Sequence, residues 1–166
     1  MNQKTLTLII VAVLAIAVVA VAAYFLMGTG DEPEPVDTIT VENATSLQFS
    51  VDLTFEEESL GTYIYSAKNI ETTELMIRLE ITDSDLIYIV NGADQTAWES
   101  LAGNWTDLSE NFATESDMWK TSMNAYTDNL TTWTEGDYTY TDTDGSDVRI
   151  YDISIEPTLA DSLFAP

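Results

Sequence analysis

The chain has no cysteine and no histidine among its 166 residues, and only five basic residues against 29 acidic ones. Without cysteine there are no disulfides and no thiolate metal sites, and without histidine the commonest metal ligand and general base is missing. A carboxylate pair could still serve as acid and base in glycoside cleavage, but no pair stands out among so many Asp and Glu. The expectation is a protein that is not an enzyme, with no catalytic residues, no metal and no cofactor. Basic residues are also absent from Thr5 through Ala67. Lys4 and the amino terminus therefore lie alone on one side of the segment that follows.

That segment, Leu6 to Met27, is an unbroken run of apolar and small side chains. At about 1.5 Å rise per residue, about 20 such residues cross a hydrocarbon core of about 30 Å. Two readings follow, an uncleaved anchor over residues 5–27 or a secretory signal cleaved near Ala20-Val21-Ala22. The run continues through Tyr24, Phe25, Leu26 and Met27, past that cleavage point, which favours the anchor. Lys4 places residues 1–4 on the cytoplasmic side and the rest outside, giving a single-pass cell-membrane protein with an extracytoplasmic C-terminal domain. From Asp31 onward the exported part carries −25 (four basic against 29 acidic residues). Such a surface repels nucleic acid and anionic headgroups and permits cations or a basic surface protein as partners.

Gly28-Thr29-Gly30 breaks the helical run, and Asp31-Glu32-Pro33-Glu34-Pro35 begins an acidic, proline-containing tether over residues 28–44. Residues 45–166 are long enough for one extracellular β-rich domain with one core. Within it, Leu47, Phe49, Val51, Leu53 and Phe55 alternate with polar residues and predict a strand with one buried face. Thr62–Ala67, Leu75–Ile81, Leu86–Val90 and Thr96–Leu101 read as further strands, with Asn91-Gly92 as a hairpin signal. The period then changes. Trp105, Leu108, Phe112, Trp119, Met123, Tyr126, Leu130 and Trp133 fall mostly at steps of three and four, predicting an amphipathic helix over about 115–134, capped near Thr114 and stopped at Gly136. Tyr138–Tyr140 and Val148–Ile155 close the domain as strands. The fold class is α+β, a transmembrane helix followed by a curved antiparallel sheet covered by one long helix.

The closing segment Ile153-Ser154-Ile155-Glu156-Pro157 with Asp161-Ser162-Leu163-Phe164, and the stretch Tyr88 to Trp98 followed by Gly103-Asn104-Trp105, resemble the LolA-like lipoprotein-carrier family. That resemblance implies a half-barrel capped by helices around a cavity for acyl chains. It would place Leu47, Phe49, Val51, Leu53, Phe55, Trp119, Met123 and Tyr126 around an apolar ligand. The chain departs from the family in its membrane span and in Glu156, and neither Lys68 nor Arg78 matches the family's buried basic residue by motif. The competing expectation for the same apolar residues is a packed core. The competing function is a structural or adhesive surface protein, such as a filament subunit packed through its N-terminal helices.

Two smaller motifs complete the reading. Asn43, Asn104 and Asn129 open three Asn-x-Thr sequons and are candidate glycosylation sites. Asp142-Thr143-Asp144-Gly145-Ser146-Asp147 invites comparison with a calcium loop, but Tyr140 and Tyr151 occupy two ligand positions, so an ordinary hairpin turn is expected.

Overall fold

The computed structural model describes residues 39–166. The apolar run and the greater part of the tether lie outside the described residues. Eight antiparallel strands form one curved, open sheet: β1 (Ser46–Phe55), β2 (Glu58–Lys68), β3 (Met76–Ile81), β4 (Leu86–Asn91), β5 (Thr96–Leu101), β6 (Asn104–Asp107), β7 (Tyr138–Thr141) and β8 (Asp147–Ile155). Their spatial order is β6-β5-β4-β3-β2-β1-β8-β7. The first six strands meander, each pairing with the next. The chain then travels from the β6 edge to the β7 edge, and the 16-residue helix α1 (Phe112–Thr127) lies on that path. At about 1.5 Å per residue, α1 spans about 24 Å of the sheet it crosses. Among the described residues no helix is long and apolar enough to cross a membrane.

The alternation in β1 has the expected result at one end only. Leu47, Phe49 and Val51 are buried, Leu53 is half-buried, and Phe55 at the hairpin tip is 40% exposed. The first four meet Tyr65, Ala67, Ile77, Leu79, Val90, Val148 and Ile150 on the inner face, beneath α1. Burying this face is the main source of stability, at about 25 cal/mol per Å² of apolar surface. A bulge in β8 keeps the pattern continuous: Gln48 pairs with Ser154 but Ser50 with Tyr151, and Asp152 takes a positive φ of 52°. The extra residue lets Val148 and Ile150 share a face with Ile153 and Ile155 although the spacing changes parity.

Several expectations need correction. The helix starts at Phe112, after a single 3-10 turn at Ser109–Asn111, and ends at Thr127, where a further 3-10 turn carries Leu130 into the core. Trp105 belongs to β6 and not to the helix. Ala102 and Gly103, both at positive φ (49° and 81°), make the two-residue turn that returns β5 into β6. Gly136 has φ +77° but lies in the connection to β7, where its carbonyl accepts the Trp133 indole N–H at 2.8 Å. Asn91-Gly92 does not form a two-residue turn, because Asn91 still pairs with Thr96 across four intervening residues. The body also takes in Val41 and Ala44, both buried in the core, which the expected boundary at residue 45 had left in the tether.

The outer face is covered by the C-terminal segment. Phe164, only 1% exposed, packs with Met76 and Ile89, and Leu159, Leu163, Ile87 and Trp98 surround them. Lys68 pairs with Asp161 and sits 5.2 Å above the Phe164 ring, and Arg78 donates to the Leu163 carbonyl at 3.3 Å. At the start of the segment, the Glu156 carboxylate accepts the backbone N–H and hydroxyl of Thr45. These bonds to its charged form hold the Glu156 pKa below the usual carboxylate range.

Candidate functional site

The residues expected to surround an apolar ligand come together between the sheet and α1. Phe49 stacks on Tyr65 with centroids 5.1 Å apart, Tyr65 meets Tyr126 at 5.7 Å, and Tyr88 meets Trp119 at 4.2 Å. Met123 is 1% exposed and packs in the same cluster. The Tyr65 hydroxyl is satisfied by Ser122 Oγ at 2.8 Å. Burial pushes the Tyr65 pKa up to about 12 and raises that of Tyr126 as well, while Tyr88 is raised by burial and then by Glu99 and Glu115. Phe49, Tyr65, Tyr126 and Met123 pack against one another here. Phe55, exposed at the tip of the β1–β2 hairpin, is not part of the cluster.

Three surface grooves bear on the site. The smallest, about 120 Å³, runs along the flank of α1 and touches Leu47 and Met123 at one side. None of the three is lined by Phe49, Val51, Leu53, Trp119 or Tyr126. A second groove, of about 530 Å³, is floored by β1, β8 and β7 and lined by Asp52, Arg149 and Asp147 among others. Its charged groups are already engaged: Asp52 accepts from Thr62 Oγ1 (2.8 Å), the Tyr151 hydroxyl (3.2 Å) and Arg149 (3.4 Å), Arg149 binds Asp137 (2.7 Å), and Asp147 accepts from Thr141 (2.8 Å). This network ties β1, β8 and the approach to β7 together.

The third groove is different. It has a volume of about 610 Å³ and follows a row in register across four strands, Glu80 (β3), Ile87 (β4), Ser100 (β5) and Trp105 (β6). Alternation along these strands puts the row on the outer face, beside the patch that Phe164 covers. Ile87 touches both regions, so the groove continues the apolar strip beyond the end of its cover. Trp105 is 36% exposed on the four-residue edge strand. Asp85, at the turn before β4, stands at the rim with φ 50°, and its backbone carbonyl accepts the Ala102 N–H at 3.0 Å.

No family model, no curated protein and no solved structure matches this chain. The site therefore rests on its own geometry and charge. The four basic residues of the described part are all taken, Lys68 by Asp161, Arg78 by Glu80, Lys120 by Glu71 and Arg149 by Asp52 and Asp137. Those five carboxylates leave 20 of the 25 described acidic residues without a basic partner. Lys68 and Arg78 face the C-terminal segment, so neither projects into the space under α1.

Of the smaller motifs, residues 142–147 form a turn in which Asp142 N–H donates to Ser146 O (2.8 Å), Gly145 N–H to Asp142 O (3.0 Å) and Ser146 N–H to the Asp144 carboxylate (2.9 Å). Among the described residues no group of three or more acidic side chains is placed to hold a metal. Asn43 is exposed, with its side-chain oxygen accepting from Thr40 N–H at 2.6 Å. Asn104 and Asn129 instead spend their amide N–H on the Leu101 (3.3 Å) and Ala125 (3.0 Å) carbonyls. Sequence reasoning missed Glu80, Asp85, Ile87 and Trp105 as a group, because Trp105 also fits the helical series that follows it. The signal that could have found them is Gly103, a turn residue four positions after Glu99 in a run that otherwise alternates.

Proposed function

We propose that this chain is a membrane-tethered, extracytoplasmic, non-catalytic binding domain. It seats an apolar ligand, or the apolar side of a protein partner, in the outer groove along Ile87, Ser100 and Trp105. The observation that supports this reading is the contrast between the two faces: the space under α1 is filled by Phe49, Tyr65, Tyr126 and Met123, while the outer strip continues past Phe164 into open surface. The resemblance to LolA-like carriers supplies an apolar ligand class, and the packing of Phe49, Tyr65, Tyr126 and Met123 under α1 favours a seat on the outer face. The N-terminal run supplies the tether and the export.

The test uses the full chain in lipid nanodiscs with 5-fluorotryptophan at its four tryptophans, titrated with 1-hexanol as a water-soluble apolar probe. The Trp105 resonance, assigned by Trp105→Phe, should shift to saturation while Trp119 stays in place. A saturating shift at Trp119 with Trp105 unmoved would put the ligand beneath the helix and reject the outer groove. External protease on intact cells should remove residues 39–166, and full protection would reject export.

A further inference from the structure

We infer that the occupant of the outer groove is a cationic protein segment whose Arg or Lys residues alternate with apolar ones, presented by a basic surface protein. The inference rests on the groove being the binding face and adds the chemistry of the partner. Three observations converge on it. The groove has apolar floor residues, Ile87 and Trp105, bordered by the carboxylates of Glu80 and Asp85. Glu80 is already engaged by Arg78 at 2.8 Å, so the carboxylate left for an incoming cation at this rim is that of Asp85. Each cation of the described part has its carboxylate, so an incoming cation approaches a surface on which 20 described carboxylates lack a basic partner and no described cation is free of one.

Charge also decides between occupants. A second copy of this chain brings a formal charge of −24 and is repelled, as is an anionic lipid surface. A neutral apolar ligand gains nothing from the rim. A segment that alternates in charge and apolarity matches the groove because an extended strand sends successive side chains to opposite sides. Its apolar residues cover Ile87 and Trp105, and the long stems of its Arg or Lys residues bend round the edge of the segment to bring the cations to Asp85 at the rim. The edge strand β6 leaves one side of its backbone unpaired, so an extended segment beside Trp105 can also add main-chain hydrogen bonds.

Full-length protein in phosphatidylcholine nanodiscs should bind a labelled (Arg-Leu)5 peptide, measured by anisotropy against empty nanodiscs. Binding should weaken about tenfold in Trp105→Ser, the size of a modest hot-spot residue. Asp85→Asn should weaken it about threefold and make it less salt-dependent, and asparagine tolerates the left-handed φ at that position. A (Glu-Leu)5 peptide should not bind. If (Arg-Ser)5 binds as tightly as (Arg-Leu)5, or if Trp105→Ser leaves binding unchanged, the attraction is diffuse charge and the inference is overturned. If neutral (Ser-Leu)5 binds as tightly through Trp105, the cationic partner is overturned while the outer groove stands. If no peptide binds, this inference falls, and the hexanol titration decides the groove separately.

Discussion

Gly92 shows how one residue can carry a constraint that composition hides. Its N–H donates to the Leu75 carbonyl at 2.8 Å, and a Cβ added there would lie 2.7 Å from both the Leu75 and the Thr73 oxygens. Both neighbours are backbone and cannot swing aside. Gly92→Ala is therefore expected to destabilise by about 1–3 kcal/mol, read by urea denaturation. Tyr65 and Tyr126 make a second residue-scale prediction. Their folded pKa values lie above the ordinary value of 10.0, with Tyr65 at about 12, because burial penalises the phenolate. A folded pKa above the unfolded one gives stability that is complete below pH of about 10 and is lost as pH rises toward 12. Melting temperature should fall over that window, and Tyr65→Phe should remove part of the fall. A melting temperature that stays level across the window would mean that these hydroxyls ionise as freely in the fold as out of it.

At the scale of elements, the C-terminal segment is the part least legible in the sequence. Leu159, Leu163 and Phe164 follow no strand or helix period, so periodicity could not assign them to the outer face. Lys68 and Arg78 were the available clues, as two of only four basic residues beyond Lys4, and both turn out to hold this segment. Phe164→Ala is expected to cost about 3 kcal/mol if the segment is integral to the fold. It should shift Trp98 emission to the red and open the last residues to carboxypeptidase; an unchanged spectrum would show that the cover contributes little. The strands were far more legible. Leu47 to Phe55 declares its face by alternation, and Thr96–Leu101 has the bounds that composition suggested. The helix was legible as a stripe, since Phe112, Trp119, Met123 and Tyr126 do face the core. Its ends were not, because Thr114 and Gly136 are plausible caps in isolation and tertiary packing of Leu130 decides where the helix stops. The candidate site was no more legible than the C-terminal segment, since Trp105 satisfies two periods at once and only strand pairing with Ser100 selects one.

For the whole molecule, the dominant quantity is uncompensated charge. Twenty described carboxylates lack a basic partner, and their mutual repulsion opposes compaction. Raising salt toward about 1 M shortens the screening length to about 3 Å, so melting temperature should rise with sodium chloride. A fall would mean that the five ion-pair contacts outweigh the repulsion. The same repulsion opposes self-association and favours a partner of opposite sign.

On the proposed reading the space beneath the helix is filled by side chains and binding belongs to the opposite face. Xenon enters dry apolar cavities and ignores packed ones. In full-length protein labelled with methyl-13C methionine, xenon pressure should move the Met123 resonance no more than that of exposed Met118. A saturating, pressure-dependent shift confined to Met123 would reveal a hollow half-barrel and contradict the account.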